Sequence, residues 1–218
     1  MMLQWQFMID SIPVYAKGLY LTLGISFFGI IFSVLIGFLV ALIVFYRVRF
    51  LETLAKAYIE ISRNTPLLIQ LFFLYYGLAG VGLVLSAYAC AIIGVAFLGG
   101  GYMAESFRLG LCAVPKTQIE AGLSLGLSRL QMVYHIIIPQ SLAISMPSIG
   151  ANAIFLLKET SVVSAIALAD VMFVAKDLIG TYYKTTESLL MLVIAYLIVL
   201  LPMSALFVGL ENYYKKKL

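Results

Sequence analysis

The sequence predicts an all-α membrane protein with five transmembrane helices, its N-terminus outside the cell and its C-terminus in the cytoplasm. Of its 218 residues, 63% are hydrophobic and only 11% are charged, whereas a soluble domain carries roughly 25% charged residues. Uncharged runs long enough to cross a bilayer recur along the chain, and Lys and Arg are concentrated in alternate connections between them.

Five spans follow from these runs, since a helical span needs about 20 apolar residues. Residues 18–46 and 188–210 are uncharged, residues 64–104 are an uncharged stretch with room for two spans, and residues 131–157 are interrupted only by a histidine. The first run has no basic segment before it and is too long for a signal peptide, so we expect it to be retained. The predicted spans are residues 15–46, 57–80, 84–108, 138–158 and 188–212, within one transmembrane domain over residues 1–218.

The distribution of basic residues predicts the orientation, because Lys and Arg accumulate in cytoplasmic connections. The connection at residues 78–86 has none, and the mixed charges of residues 159–187 do not decide. The net charge of +4 is therefore interpreted as a topology signal and not as a nucleic-acid-binding surface. The basic residues assigned to the cytoplasm are Arg47, Arg49, Lys56, Arg108, Lys116, Arg129, Lys215, Lys216 and Lys217.

Small residues recur at four-residue spacing in the first span, at Gly29, Ser33, Gly37 and Ala41. Residues four apart share a helix face, and small ones let another helix backbone approach closely. The ladder predicts close packing, either against another span of this chain or against a second subunit. Residues 99–101 are three glycines, and each costs a helix up to about 1 kcal/mol relative to alanine. Close helix approach or local unwinding would explain them.

The segment at residues 112–137 is the one long predicted cytoplasmic excursion. Pro115 suits the first turn of a helix, Gly126 suits a helix end, and Ser128 with Gln131 has the spacing of a capping box. The segment predicts a short helix with small side chains and one carboxylate, which suits insertion into a groove of a partner protein. The alternative is that the segment is a simple linker. The residues concerned are Glu120, Ala121, Gly122 and Gly126.

Two polar stretches near the membrane interior are candidates for a substrate site. Residues 63–66 end in proline, which disfavours helix in the residue before it, so a break lining a cavity or a helix start at the membrane surface is predicted. Lys158-Glu159 lies between apolar pairs, and a charge at the bilayer centre costs at least about 2.5–3.5 kcal/mol. The two residues therefore face a water-filled interior or lie at the membrane surface. There they either form an ion pair with each other or are solvated. The candidates are Arg63, Asn64, Thr65, Gln70, Lys158 and Glu159.

No pattern in the chain predicts a catalytic residue, a metal site or a cofactor. His135 is the only histidine, and we interpret it as a structural residue. Cys90 and Cys112 lack metal-ligand spacing, so the two cysteines are interpreted as small apolar side chains. No Gly-Lys dipeptide is present, so the Walker A pattern for ATP is absent. Five spans without an ATP site are too few to enclose a gated path alone. Two copies, or a copy and a relative, are implied.

Residues 120–139 read Glu-Ala-Gly-x3-Gly-x9-Ile-x-Ile-Pro. This pattern resembles the EAA loop of the membrane subunits of ABC importers, Glu-Ala-Ala-x3-Gly-x9-Ile-x-Leu-Pro, with Gly122 in place of alanine and Ile138 in place of leucine. Other segments resemble the polar amino-acid branch, which includes the histidine/lysine/arginine and glutamine importers. They are Arg63-Asn64-Thr65-Pro66-Leu67-Leu68-x-Gln70, Gly101-Tyr102-Met103-Ala104-Glu105, Val114-Pro115-Lys116, Pro139-Gln140 and Leu156-Leu157-Lys158-Glu159-Thr160-Ser161.

The resemblance implies a permease subunit of an amino-acid importer in a bacterial inner membrane. Two such subunits would pair, and two cytoplasmic ABC ATPase subunits, which bind the ATP and Mg, would dock on the EAA loops. An extracytoplasmic binding protein would deliver the amino acid. A carboxylate at Glu159 with Arg63 or Lys158 nearby favours a basic amino acid such as arginine, lysine or histidine, with glutamine or another polar amino acid as the alternative.

Two other classes of membrane protein need features that the sequence does not supply. A secondary transporter would need inverted repeats, and no internal repeat is found. An intramembrane hydrolase would need a nucleophile with a placed base or paired aspartates, but Asp10, Asp170 and Asp177 lie outside the predicted spans.

Overall fold

The computed structural model describes residues 3–216, and all regular secondary structure in that range is helical. Short π-helical turns (Phe73–Gly77 and Val133–Ile137) and 3-10 segments (Ala79–Val81 and Thr160–Ile166) extend some of the helices. The predicted all-α class is confirmed; Lys217 lies outside the described residues. The α-helices are α1 (Trp5–Phe45), α2 (Leu51–Asn64), α3 (Leu67–Phe72), α4 (Ala87–Ala113), α5 (Lys116–Ser124), α6 (Arg129–Met132), α7 (Ile138–Glu159), α8 (Val171–Tyr182) and α9 (Thr185–Lys215).

Four helical stretches of the described chain are long and apolar enough to cross a membrane: α1, α4, α9 and the continuous run Arg129–Ile166. Leu51–Asn64 and Leu67–Val81 qualify as a fifth only together, because the chain bends by 103° between them. The predicted second span over residues 57–80 is thus a bent pair of helices, and the predicted break at residues 63–66 is confirmed. Thr65 is extended, with φ −108° and ψ 128°, as a residue before proline prefers.

Helices α1 and α4 run parallel with their backbones in near contact. A Cβ added to Gly29 would lie 2.6 Å from Cγ1 of Val95, and one added to Gly37 would overlap the Cβ of Met103. The hydroxyl of Ser33 donates across the interface to the carbonyl of Val95 at 3.2 Å. The small-residue ladder thus packs within the chain, and the alternative of an intersubunit contact for this face is not what the structure shows.

The three consecutive glycines of α4 meet neighbours on different sides. A Cβ on Gly99 would overlap the hydroxyl of Ser33 in α1. On Gly100 and Gly101, a Cβ would overlap the hydroxyls of Tyr58 and Ser62 in α2. Because α4 stays helical through all three residues, close approach of two other helices explains them and local unwinding does not.

The remaining long helices alternate in direction. Ser148 of α7 meets Ser106 of α4, while Leu156, further along α7, reaches the earlier Gly99, so these two helices are antiparallel. Helix α9 starts beside the start of α1, where the hydroxyl of Tyr15 donates to the carbonyl of Ser188 at 2.6 Å.

The bundle therefore has two distinct ends. We call the end formed by the starts of α1 and α9 together with helix α8 the α8 end. The opposite end, formed by the end of α1, the start of α2, the end of α4 and helices α5 and α6, is the α5 end.

A buried carboxylate organises the α8 end. Asp170 is fully buried and caps α8, accepting hydrogen bonds from the backbone N–H of Phe173 at 2.9 Å and of Met172 at 3.2 Å. It lies between the membrane-spanning stretches, and burial raises its pKa to about 6. Gly18 of α1 packs against this turn, since a Cβ there would come within 3.1 Å of the carbonyl oxygen of Asp170.

Candidate coupling segment and substrate site

The predicted coupling segment forms a helix that ends in a Schellman motif. The N–H of Gly126 donates to the carbonyl of Leu123 at 2.9 Å, and that of Leu127 donates to Gly122 at 3.1 Å. Gly126 has φ +75° with open space where its Cβ would be, so backbone conformation alone requires glycine. Its place at the helix end is confirmed. It lies two residues beyond Ser124, the last residue of α5.

The other small residues of the segment face in different directions. Gly122 is buried, and a Cβ there would lie 2.7 Å from Cδ1 of Ile136 in the returning chain. Glu120 and Ala121 are exposed. The capping box of Ser128 and Gln131 is confirmed by both hydrogen bonds. Gly122 therefore holds the two arms of the segment together, and it is the one buried residue of the four predicted ones.

Large apolar side chains surround this outward face. Leu125 is 81% exposed, Leu130 76% and Tyr134 70%. Apolar groups in such number at the end of a bundle, next to an exposed carboxylate, are typical of a surface that a partner protein covers.

The break in the second predicted span is held closed by its own polar side chains. The amide of Gln70 donates to the carbonyls of Ser62 at 3.1 Å and Thr65 at 3.0 Å, and to the hydroxyl of Thr65 at 3.0 Å. That hydroxyl donates to the carbonyl of Ile61 at 2.6 Å. These bonds satisfy carbonyls that Pro66 leaves without helical partners. The donors of Thr65 and Gln70 are thus occupied. Of the polar atoms of these two side chains, Oε1 of Gln70 is buried and has no partner in the described part of the chain.

Arg63 and Asn64 remain on an open face of α2. The guanidinium of Arg63 lies 5.2 Å from the centroid of the Tyr102 ring in α4, a cation–π contact. The amide of Asn64 donates to the carbonyl of Glu60 at 2.8 Å and to its carboxylate at 3.0 Å. Both side chains are exposed, so they can face a water-filled path.

Lys158 and Glu159 are the last two residues of α7. They lie near the middle of the bundle, because the neighbouring Leu156 contacts Gly99 halfway along α4. Lys158 is exposed and Glu159 is half-buried, and within residues 3–216 neither forms an ion pair or a side-chain hydrogen bond, so they do not pair with each other. The following segment, Thr160–Ile166, packs against α3, which carries Gln70. The structure thus brings the two candidate stretches into one region without a direct bond between their polar groups.

A polar cluster between α4 and α7 was not among the sequence candidates. The amide of Asn152 donates to the hydroxyl of Ser106 at 2.8 Å and to the carbonyl of Tyr102 at 3.3 Å. The hydroxyls of Ser106 and Ser148 lie 2.7 Å apart. A signal was present, because Ser148 and Asn152 are four residues apart in a predicted span and so share a helix face.

Known proteins place the chain in a family. The profile described as "Binding-protein-dependent transport system inner membrane component" matches residues 33–218. The chain belongs to this family. Among its relatives, a probable glutamine ABC transporter permease protein, GlnM of Bacillus subtilis, is 30% identical over 211 residues, covering 97% of this chain and 96% of the relative. A probable amino-acid ABC transporter permease protein, PatM of Vibrio harveyi, is 30% identical over 195 residues, covering 88% and 87%.

Solved structures agree with this assignment. A crystal structure of an amino acid ABC transporter with histidines superposes with a TM-score of 0.89 at 31% identity, covering 98% of this chain and 100% of that one. The MetNI methionine ABC transporter, at 17% identity and a TM-score of 0.79 over 97% of this chain and 99% of that one, shares the fold.

Membership makes the chain a permease subunit of a polar amino-acid ABC importer and not an enzyme, because the ATPase of such a transporter is a separate chain. It implies a multi-pass protein of the inner membrane that works with ATPase subunits, a binding protein and a second permease subunit.

Proposed function

We propose that the chain moves a basic amino acid, arginine, lysine or histidine, across the inner membrane by alternating access. The observation that supports a cationic substrate is the half-buried carboxylate of Glu159, which has no cationic partner in the described chain although Lys158 is adjacent. An α-amino acid already needs one acceptor set for its ammonium and donors for its carboxylate. A further free carboxylate suits a guanidinium, ammonium or imidazolium side chain.

The proposed site combines side chains from three helices. Glu159 would accept the substrate's cationic groups, and Lys158 or Arg63 would donate to its carboxylate. The exposed amide of Asn64 adds hydrogen-bonding capacity, and Thr65 and Gln70 hold the two sides of the break together as one wall of the site. No metal takes part in this proposal.

The proposed topology has five crossings, with α2 and α3 forming one broken second span. Ser62 of α2 meets Gly101 of α4 while Leu67 of α3 meets the earlier Gly94, so this second pass is antiparallel to α4. With α1, α4 and α9 running one way and α7 the other, five passes alternate. An odd number puts the termini on opposite sides. Arg47, Arg49, Lys116, Arg129 and Lys215 lie at the α5 end, which supports a cytoplasmic assignment for that end.

The α5 end is the proposed docking surface for two ATPase subunits, one on each permease subunit of the pair. Glu120 and Ala121 would contact the ATPase directly, together with the exposed Leu123 and Leu125. Gly122 and Gly126 would act through the shape of the segment. ATP and Mg would be bound by the ATPase, with no cofactor in this chain.

The test is uptake of radiolabelled arginine, with competition by other amino acids, into proteoliposomes holding the complex, its ATPase and its binding protein. Glu159→Gln is expected to lower arginine uptake at least tenfold while ATPase binding is kept. Glu211→Gln is a matched control, because Glu211 pairs with Lys215 in the last turns of α9, at the α5 end and away from Glu159. Unchanged rate and selectivity in Glu159→Gln would remove this residue from the site.

A glutamine importer is the second candidate. The relative GlnM of Bacillus subtilis, a probable glutamine permease, covers 97% of this chain, and the oxygen of Gln70 is an unpartnered acceptor for a substrate amide. Uptake of radiolabelled glutamine that arginine and lysine do not compete with, together with no uptake of arginine, would favour this function over the first.

A further inference from the structure

Helix α2 has three different faces. Ala55, Ile59 and Ser62 are buried against the bundle. Leu54 and Ile61 form an exposed apolar face. The charged face carries Glu52, Lys56, Glu60 and Arg63, whose spacing of four, four and three residues keeps them in one row.

The charged face of a membrane-spanning helix turns toward water and not toward lipid. On α2 the apolar face supplies the lipid side, so the row from Glu52 to Arg63 marks the wet side. The row faces α4, because Arg63 lies over the ring of Tyr102. One turn further toward the α5 end, Glu60 and Glu105 line a common cleft.

This cleft has a volume of about 400 Å³ between α1, α2 and α4, within the range of about 300–1,000 Å³ of small-molecule sites. We call it the α2–α4 cleft. Two acidic and two basic side chains share it, in a chain of which only 11% is charged. Its lining residues are Val44, Lys56, Ile59, Glu60, Glu105 and Arg108.

The charged groups of the cleft do not neutralise each other across it. Lys56 pairs with Glu52 of its own helix at 2.6 Å, and Arg108 pairs with Glu105 of its own helix at 2.6 Å. The carboxylate of Glu60 accepts only the amide of Asn64, at 3.0 Å. No ion pair between α2 and α4 is formed in the described chain, so the cleft stays open with groups of both signs.

We propose that the α2–α4 cleft is a second binding site for the zwitterionic end of an amino acid, on the α5-end half of the path. The carboxylate of Glu60 accepts from the α-ammonium. Arg108 donates to the α-carboxylate, since a guanidinium has five N–H donors and Glu105 takes only part of them.

Arg63 and Phe155 both contact the ring of Tyr102. Glu60 lies one turn from this contact toward the α5 end, and Glu159 lies one turn from it toward the α8 end. The cleft is therefore separate from Glu159, and the proposal rests on the proposed transport function.

Thiol labelling tests the site in the reconstituted complex with its ATPase and binding protein. The background is Cys112→Ser, because Cys112 is exposed whereas Cys90 is buried. Lys56→Cys, which lines the cleft but has no role in the proposed contacts, is compared with Leu54→Cys on the exposed apolar face of the same helix. A charged, membrane-impermeant thiosulfonate applied at the α5 side is expected to label Lys56→Cys and to spare Leu54→Cys.

The probe for occupancy is L-arginine, with L-glutamine as the second compound. At ten times its Kd the amino acid fills about nine sites in ten, so labelling of Lys56→Cys slows roughly tenfold. Equal labelling of both variants, or labelling that neither amino acid slows, overturns the site. Phosphatidylethanolamine also carries an ammonium and an anionic oxygen. Protection that needs this lipid in the vesicles and no amino acid overturns it too.

A charge variant gives an independent readout. Glu60→Gln is expected to raise the KM for arginine uptake severalfold, whereas Glu52→Gln, on the same face but outside the cleft, keeps the KM of the unsubstituted chain. An unchanged KM in Glu60→Gln contradicts the proposal. Uptake by the unsubstituted complex is measured alongside. Its absence refutes the proposed function, whereas loss of protection alone with uptake intact refutes only the cleft.

Discussion

The α1–α4 interface and the coupling segment are both rich in small residues, yet they use them for different physical reasons. At Gly37 the backbone of α4 occupies the place of a side chain, with the nitrogen of Ala104 2.8 Å from an added Cβ. At Gly126 the space is empty and only the positive φ excludes other residues. The first glycine sets how closely two helices pack, and the second sets where a helix ends.

This difference separates a rigid part of the molecule from a surface part. Close packing of α1 continues at the α8 end, where Gly18 meets Val174 of α8 and its capping residue Asp170. Neither contact has space for a larger side chain. The coupling segment has one buried glycine, Gly122, and otherwise turns Leu125, Leu130 and Tyr134 outward. Substitutions in the first region should therefore unfold the bundle, and those in the second should change its association.

The largest effect is expected at Gly37. Gly37→Leu would place a side chain on the backbone of α4, and overpacking of this kind costs about 3 kcal/mol or more. Thermal unfolding in detergent should show a strongly destabilised or unfolded protein. Gly209→Leu is the control, because no atom lies within 4 Å of its added Cβ. A stable Gly37→Leu variant would contradict the close contact of α1 with α4.

The buried carboxylate at the α8 end makes stability depend on pH. Burial raises the pKa of Asp170 from 3.8 to about 6, so between these values the folded state binds more protons than the unfolded state. Stability therefore falls as pH rises through this window, by at most about 3 kcal/mol.

The comparison variant for this slope is Asp170→Asn, which keeps a cap on α8 but cannot ionise. Unfolding followed below, within and above the window should show the slope in the unsubstituted chain and its loss in the variant. Lys176 and Tyr196 are the ionisable groups that interact electrostatically with Asp170. The same slope in both proteins would assign it to another group.

Features that depend on neighbours in sequence could be predicted from the sequence. The break before Pro66 and the capping box at Ser128 are local, and both are present. The long apolar spans were also predicted, although α1 begins at Trp5 and not at residue 15. The charged residues Asp10 and Lys17 precede the uncharged run, yet α1 includes both of them.

Features that depend on a distant partner could not be predicted. Gly122 faces Ile136, and Gln70 closes the break with its amide, because tertiary packing sets those directions. The sequence predicted a coupling role for Gly122 and a substrate-binding role for Gln70. It could not show that Ile136 packs on Gly122, or that the amide of Gln70 already donates to Ser62 and Thr65. The α2–α4 cleft was missed for the same reason, since Glu60 and Glu105 lie far apart in the chain and meet only when α2 packs on α4.

The surface character of the coupling segment is tested at Leu125. Leu125→Ser should leave folding unchanged, because the side chain is 81% exposed. Burying a leucine is worth about 1.5–3 kcal/mol, so ATPase affinity should fall roughly tenfold or more in a binding assay. Val81→Ser is the matched control, 80% exposed on the short connection before α4. Equal losses in both variants would count against a specific docking surface.

The smallest effect is expected at Gly126, and it divides the two uses of glycine most sharply. A non-glycine residue in the left-handed conformation costs roughly 1–2 kcal/mol, and asparagine tolerates it better than alanine. Gly126→Ala should loosen the end of α5 and lower the ATPase activity coupled to transport, and Gly126→Asn should recover most of it. Gly180→Ala serves as control, since it has open space and no positive φ. Hydrogen exchange should rise at residues 122–128 in Gly126→Ala with the bundle unchanged; equal behaviour of the alanine and asparagine variants would mean that backbone conformation is not the reason for this glycine.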